Sequence, residues 1–524
     1  MKRISFRRCL SSVGVVACLM SATNLAGAQG NPAPPSGGAA DDAPRSRLTL
    51  TGAYIVEAFA QKNFFLGAGG PVESGLSTDF DAYWTQKLNL QPRLILSDHV
   101  NVTVSVNVAQ GVWGLESTGS AGTTAAGLYP RSTNLSALSL DWAYLAFRHR
   151  GTGSRWYVGQ QAFVLGHGLV LDQDAAGIQA YFDLARWNGS LGLGVAKLSE
   201  SGGLSDQNNT ARSDERVGPD GRDADLFFAQ WQSGSPVFRV SPFFAYYQDR
   251  SNGDGATLYP ERLGYANARF QPNVTRATVF GLEVQAMRGP IDFDLEYNQL
   301  SGVDRVQNAS AGASELLDVN NGDLKGSNLY ARIAVQGNRW EIGGILAQGT
   351  GDDDPTSGEG NLNRLRTDGN FFITEVWEDS VMPPRGFHPG GLGSPLSRGY
   401  RELENTRILQ GFLGFKPTPS THISGSVSLI RSSEDLRPWA DTNGDGVIVA
   451  EEFGSELSNE LGSEFDWRFD WTVDSQVTLS VRGGVFLPRV AAGYLLHGTG
   501  EHQEAATEHR LTISVPVPEF SLGG

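Results

Sequence analysis

The segment from Asp441 to Glu452 has the residue types and the spacing of an EF-hand calcium-binding loop. Carboxylate or amide side chains occupy positions 1, 3 and 5, a backbone carbonyl serves at position 7, and a glutamate stands at position 12 for bidentate ligation. The candidate metal ligands are Asp441, Asn443, Asp445, Val447 and Glu452. These hard oxygen donors favour Ca²⁺ over Mg²⁺, because Mg²⁺ demands tighter octahedral geometry. The sequence therefore predicts a calcium site.

An ordinary acidic turn, rich in Asp, Asn and Gly and without a metal, is the alternative interpretation of this segment. The residues before it include Pro438 and form a poor helix, whereas residues 451–461 favour a short exit helix. The pattern thus predicts a single hand within a loop, unlike the paired hands of calcium sensors.

Other chemistry is sparse along the chain. Neither Gly-x-Ser-x-Gly nor His-Glu-x-x-His occurs, and no enzymatic activity is predicted. The cysteines, Cys9 and Cys18, lie in a leader segment that is predicted to be removed, so the mature chain has no thiol chemistry. The net charge of −16 argues against nucleic acid as a partner.

The N-terminus has the parts of a secretory signal peptide. Basic residues precede an apolar run from Cys9 to Met20, and small residues follow at the cleavage site. The apolar run is well short of the ~20 residues that a membrane-spanning helix needs. We predict a signal peptide over residues 1–28 and a flexible segment, rich in Pro and Gly, over residues 29–46.

Alternation of apolar and polar residues dominates the remaining chain. From Val100 to Val108 every second residue is valine, and the residues between them are Asn, Thr or Ser. Residues 291–298 and 465–472 alternate in the same way. Because successive side chains of a strand point to opposite faces, each of these strands has one apolar and one polar face.

The connections between the alternating segments are short and long in turn. Short turns lie near residues 97–99, 150–154, 187–190, 233–236, 288–290, 336–339, 416–420 and 474–476. Long polar loops lie near residues 65–82, 111–137, 166–176, 200–222, 249–274, 301–326, 350–404, 432–461 and 489–507. Short periplasmic turns and long extracellular loops are the layout of transmembrane barrels. The fold class predicted is all-β, an antiparallel transmembrane barrel of about 18 strands over residues 47–518. A soluble all-β fold is the alternative.

A barrel of this size is too wide to be filled by its own side chains, so its lumen is a water channel or is plugged by loops. The connection from Gly351 to Glu402 is the longest, and we predict that it folds inward as a constriction. The candidate lumen-lining residues are Lys87, Arg93, Asp292, Asp294, Glu296, Arg332, Arg468 and Arg482. The acidic row at 292–296 is either a cation-selective stripe or a solvated face balanced by arginines.

Three stretches of the chain resemble the alginate-export family of outer-membrane barrels. The first runs from Ala143-Tyr144-Leu145 to Gly166-His167-Gly168, the second is the acidic stretch 349–354, and the third is 461–466 continuing into 477–488. The resemblance implies a monomeric barrel of about 18 strands that exports or passes an anionic polymer or solute.

Together the patterns predict a channel in the bacterial outer membrane, surrounded by outer-membrane lipid. Its cargo would be a polar solute or an anionic polysaccharide, and a calcium-binding loop would lie at its surface. The alternative is a surface receptor or adhesin that transports nothing and uses calcium-stabilised loops. The patterns are compatible with a monomer or a trimer, and with import or export.

Overall fold

The alternating segments of the sequence form antiparallel strands in the computed structural model. The structure describes residues 46–63, 66, 80–112, 139–200, 223–235, 237–249, 276–303, 323–351, 360–367, 371–378, 403–440, 442, 450–474, 476–501 and 503–522. The predicted signal peptide, and all but the last residue of the predicted flexible segment, lie outside these ranges.

The barrel wall is built from strands that follow one another in chain order. They are β1 (Arg47–Lys62), β2 (Phe80–Ser97), β3 (Val100–Val112), β4 (Ser139–Arg148), β5 (Arg155–Leu165), β6 (Leu171–Leu184), β7 (Gly189–Glu200), β8 (Asp223–Ser235), β9 (Phe238–Asp249), β10 (Arg276–Arg288), β11 (Ile291–Val303), β12 (Asp323–Gln336), β13 (Trp340–Gly349), β16 (Arg407–Thr418), β17 (Thr421–Leu436), β18 (Ser458–Asp474), β19 (Val477–Pro488) and β20 (Ala506–Leu522). Two short strands, β14 (Gly360–Asn361) and β15 (Arg366–Thr367), lie inside this wall.

Each wall strand pairs antiparallel with its neighbours, and β13 pairs directly with β16. β1 closes the barrel, because Tyr54 lies opposite Leu88 of β2 on one side and Val515 of β20 on the other. The prediction of an antiparallel barrel is confirmed, with 18 strands in the closed wall. The last strand continues past residue 518 to Leu522, so the barrel extends beyond the predicted boundary.

The predicted short turns are present at one end of the barrel, which also holds the start of β1 and the end of β20. At 289–290 two residues join β10 to β11, and Gly289 adopts a φ of 59°, a conformation that favours glycine. The hairpin predicted at 188–189 is also present. A 3₁₀ turn, Ala185–Trp187, leads into it, and Asn188 adopts the left-handed conformation.

One predicted long loop is much shorter than expected. The sequence placed a loop at residues 166–176, but β6 begins at Leu171, so only five residues, 166–170, leave β5 and enter β6. Gly166 and Gly168 have φ values of 59° and 83°, which allow so tight a turn. The prediction of a long outer loop here was wrong, because residues 172–176, which include the polar residues Asp172, Gln173 and Asp174, pair with β5 instead.

The inner face of the wall is polar and its outer face is apolar, as the alternation predicts. On β3 the polar residues face inward, and Asn101 and Ser105 are 1% and 0% exposed. On the outer face apolar side chains are exposed, including Leu413 and Val427 at 55% each and Phe465 at 51%. Apolar side chains cover the surface that a bilayer contacts, and every wall strand has hydrogen-bonded neighbours on both sides.

Helix α1 (Val490–His497) lies in the connection between β19 and β20. Trp439, from the connection between β17 and β18, packs against its end. The indole N–H donates to the Tyr494 carbonyl at 2.7 Å, and the backbone N–H donates to the Gly498 carbonyl at 2.9 Å. These two connections therefore pack together at the long-loop end of the barrel. Among the described residues, no helix combines the length and apolar character needed to cross a membrane.

Candidate functional site

Residues 360–367 and 371–378, together called the inward segment, fold into the lumen as the sequence predicted. The two short strands of this segment pair in parallel with inward parts of the wall, β14 with β12 and β15 with β6. Leu362 and Leu365 are completely buried between them. Asn328, on the inner face of β12, donates to the carbonyl of Asn363 at 2.5 Å. The segment therefore bridges β12 and β6 inside the barrel.

The later part of the inward segment is attached to the wall at β16 and β18. Glu464 is only 2% exposed, and its carboxylate accepts hydrogen bonds from the backbone N–H groups of Val376, at 2.6 Å, and Trp377, at 2.9 Å. The Gln410 side-chain amide donates to the Ile373 carbonyl at 2.8 Å. Glu464 is thus a principal anchor of the segment.

A cavity of about 470 Å³ remains beside the inward segment. Charged side chains of the wall and aromatic side chains of the segment share its lining. Its lining residues include His167, Asp294, Tyr330, Arg332, Glu341, Phe371, Phe372, Glu375, Phe412, His422, Ser424, Asp466 and Arg468. The arrangement can hold water and a small polar molecule, because ionic and hydrogen-bonding groups face one another across it.

Three arginines form a row across the inner faces of β18, β19 and β20. Arg468 lies opposite Arg482, and Arg482 lies opposite Arg510. Like charges directly opposite one another destabilise a sheet unless they are compensated. This row, called the arginine row, therefore requires carboxylate partners close by.

Each member of the arginine row has such a partner. Asp470 lies 2.9 Å from Arg468, Glu508 lies 3.1 Å from Arg510, and Glu375 of the inward segment lies 3.4 Å from Arg482. Asp466 and Glu508 both lie opposite Gly484, on the side of the row toward the long connections. Asp470 lies on the side toward the short turns. The wall is consequently banded, with carboxylates above and below the arginines.

A second charged group lies on β11, β12 and β13. Arg332 is 3.0 Å from the Asp292 carboxylate and also forms an ion pair with Glu341. The guanidinium carbon lies 5.0 Å from the centre of the Phe412 ring, a cation–π geometry. The cation is therefore held in a fixed position on the cavity wall.

His167, in the short turn between β5 and β6, is held between two carboxylates of β11. Its Nδ1 lies 2.6 Å from Glu296 Oε2, and its Nε2 lies 2.7 Å from Asp294 Oδ2. The His167 backbone N–H also donates to Glu296, whose side chain is fully buried. Tyr330 packs against the imidazole with ring centres 5.1 Å apart. The turn is thereby fixed in the lumen.

The structure places the predicted lumen-lining residues in two groups. Lys87 and Arg93 lie on the inner face of β2, whose other face exposes Trp84 and Leu94. Of the remaining candidates, Asp294, Arg332 and Arg468 line the cavity. The other three contact residues of the cavity wall: Asp292 pairs with Arg332, Arg482 pairs with Glu375, and Glu296 is fully buried against His167.

Some site residues were missed by sequence reasoning. Glu464 and Asp466 have the same alternation phase as Arg468, and that phase was the signal that could have found them. Glu375 lies in a segment without periodicity, so no local pattern marks it. His167 entered only through the family resemblance, because a single histidine in a turn carries no chemical signature.

The predicted calcium loop falls mainly outside the described residues. Those not described are Asp441, Asn443, Asp445 and Val447, whereas Glu452 is described. Glu452 Oε1 accepts hydrogen bonds from the Thr442 backbone N–H at 2.8 Å and from its hydroxyl at 2.5 Å. Trp439 and Phe453 form an antiparallel bridge at the base of the loop. The two ends of the loop therefore meet.

The exit helix predicted over residues 451–461 is wrong. A 3₁₀ turn, Ala450–Glu452, is present, and β18 begins at Ser458. Ser458 lies opposite Leu436 of β17, so strand pairing overrides the local helical preference.

The closed barrel, its apolar outer surface and its charged lumen define a bacterial outer-membrane β-barrel protein. No protein-family model matches the chain, and no curated protein matches it either. The resemblance to the alginate-export family therefore stays a prediction from sequence.

Solved structures of outer-membrane proteins have similar folds. The crystal structure of OccAB2 from Acinetobacter baumannii is 11% identical and has a TM-score of 0.45, over 91% of this chain and 98% of that chain. OccK2 (OpdF) from Pseudomonas aeruginosa is 13% identical with a TM-score of 0.46, over 91% and 98%. A BenF-like porin from Pseudomonas fluorescens Pf-5 is 12% identical with a TM-score of 0.46, over 91% and 99%.

Proposed function

We propose that this protein is a porin-like channel that passes small polar solutes across the outer membrane. The observation that carries the proposal is the inward segment, which is anchored to separate parts of the wall and leaves a charged cavity beside it. An unobstructed 18-strand barrel would select poorly, because its lumen is wide. A lumen narrowed by an anchored segment selects solutes by size and charge.

The alternating bands of arginines and carboxylates on the wall favour the passage of solutes that carry a charged group. Guanidinium groups of the arginine row match a carboxylate or phosphate in bidentate geometry. The carboxylates on either side accept hydrogen bonds from hydroxyl and ammonium groups. We therefore propose small anionic or mixed-charge solutes, including sugar acids, as the preferred cargo. A polysaccharide would require release of the anchors at Glu464 and Gln410 before a polymer could pass.

The competing function is a surface receptor or adhesin that transports nothing. The buried contacts of the inward segment favour this second function, because they close part of the lumen. Leu362 and Leu365, for example, are completely buried beside β12 and β6. Recording from single barrels in a planar bilayer separates the two functions. A porin-like channel is expected to conduct in discrete steps, whereas a plugged receptor leaves the bilayer resistance unchanged.

A change in the arginine row is expected to alter ion selectivity. Arg482 is the central member of the row and is 6% exposed, so Arg482→Gln removes a fixed positive charge and leaves Glu375 in excess. The reversal potential in a salt gradient should shift toward cation selectivity. Arg150→Gln, at an exposed turn on the periplasmic rim, removes the same charge and should leave the potential unchanged. An equal shift in both variants would exclude a selectivity role for the row.

We also propose that the loop from Asp441 to Glu452 binds calcium at the cell surface. The ligand spacing supports this, as does the bridge that brings the loop ends together. Extracellular calcium is abundant, so a dissociation constant of ~10⁻⁴–10⁻³ M would suffice. A single hand lacks the partner with which sensor hands open, so only local ordering of the loop is expected.

Calorimetry of the purified barrel with calcium tests this site. Glu452→Gln removes the bidentate carboxylate and is expected to abolish binding at millimolar calcium. Glu451→Gln changes the neighbouring exposed residue, at position 11, and should bind like the parent protein. Absence of binding by the parent, or normal binding by Glu452→Gln, would show that the loop is an ordinary acidic turn.

A further inference from the structure

We propose that His167, Asp294 and Glu283 form a site for a divalent transition-metal ion, with Zn²⁺ as the best match, in the wall of the lumen. One possible ligand atom from each of these residues lies within 4.8 Å of the other two. The three residues come from the β5–β6 turn, β11 and β10. The proposal concerns a metal site and stands apart from solute passage.

The environment of Glu296 orients the imidazole as a metal ligand. Glu296 Oε2 lies 2.6 Å from His167 Nδ1, and Asn298 donates to the other carboxylate oxygen at 3.0 Å. Asn328 in turn donates to Asn298 at 2.8 Å. Because Nδ1–H donates to a buried carboxylate, Nε2 is the ring nitrogen that faces Asp294 and can bind a metal ion. Metal-binding histidines almost always have such a carboxylate or carbonyl on the second ring nitrogen.

The remaining oxygen ligands are positioned on the same inner face. Asp294 Oδ2 lies 2.7 Å from His167 Nε2. The other oxygen, Asp294 Oδ1, is buried and has no hydrogen-bond partner in the described part of the chain. Glu283 lies opposite Glu296 in the β10–β11 pairing, and one of its oxygens accepts a bond from Gln285. Three carboxylates beside one imidazole leave an excess of negative charge, which a divalent cation compensates.

The donor set selects the kind of metal. One imidazole nitrogen with carboxylate oxygens suits Zn²⁺, whereas Ca²⁺ and Mg²⁺ prefer oxygen ligands alone. Ligands at ~2.1 Å in tetrahedral geometry lie about 3.4 Å apart, so Nε2 and the Asp294 oxygen must move apart by about 0.7 Å from their present 2.7 Å. The ion takes the place of the proton between them, and that proton is released. Affinity should therefore fall as the pH falls.

The site is tested by titrating the folded mature barrel with zinc in detergent and measuring the binding by calorimetry. Excess calcium in the buffer occupies oxygen-only sites such as the outer loop. One zinc ion is expected per barrel, and His167→Gln or Glu283→Gln should each weaken binding about tenfold or more, because even loss of an outer partner costs that much. His149→Gln removes an exposed histidine of a periplasmic turn and should not change the affinity.

Glu283→Gln is the decisive variant, because it leaves the contacts of His167 with Asp294 and Glu296 in place. Its folding is checked by the heat-dependent gel mobility of the barrel. No binding at millimolar zinc, parent-like binding by Glu283→Gln, or displacement of zinc by millimolar calcium would overturn the proposal. Calorimetry does not require an open pore, so failure of the channel function would leave this result unaffected.

Discussion

Val427→Arg is expected to destabilise the barrel by about 2–4 kcal/mol, because it places a charge in lipid near the middle of the membrane. Val427 lies close to the centre of β17, and its side chain is 55% exposed on the outer face. No water or counter-ion is available there to solvate the guanidinium group. Equilibrium unfolding in denaturant, with the barrel folded in lipid vesicles, measures the loss.

The same substitution one residue earlier is the matched control. Ser426 points inward and lines the cavity, so the guanidinium of Ser426→Arg remains hydrated. Ser426 lies opposite Asp466, whose carboxylate compensates the new charge, so the free energy of unfolding should change little. Equal destabilisation by the two variants would contradict the assignment of the outer face to lipid.

Replacement of residues 352–402 by a short Gly-Ser linker is expected to increase the single-channel conductance severalfold. A short linker suffices because β13 and β16 are adjacent strands, with Gln348 opposite Arg407. The change removes the inward segment and widens the lumen toward the cross-section of an open 18-strand barrel. Planar-bilayer recording in concentrated salt measures the increase.

A point substitution tests the anchoring of the inward segment to the wall without removing the segment from the lumen. Glu464→Gln replaces one of the two acceptor oxygens by an NH₂ group that cannot accept, so one of the bonds from Val376 and Trp377 is lost. The inward segment should then move, and the current should fluctuate between levels. Glu460→Gln, on the same strand where the side chain is 61% exposed, should give steady currents like the parent. An unchanged conductance after removal of residues 352–402 would show that the segment does not narrow the pore.

The architecture of the wall follows from local sequence. A strand between lipid and water must alternate apolar and polar residues, so runs such as 100–108 and 465–472 already specify both the strands and their faces. The long and short connections then set the strand count and the end at which the turns lie. The misjudged turn at 166–170 and the absent helix after Glu452 are places where pairing with a neighbouring strand outweighed local composition.

The charged lumen is different, because its contacts join residues that are far apart in the chain. Alternation indicates that Arg482 faces inward, but only the registers of β18, β19 and β20 align it with Arg468 and Arg510. Closure of the barrel and folding of the inward segment decide that His167 meets Glu296, 129 residues away, and that Glu464 anchors a backbone 88 residues earlier. Periodicity reports the face on which a side chain lies, whereas its partner across the lumen is decided by register and closure, which no local pattern encodes.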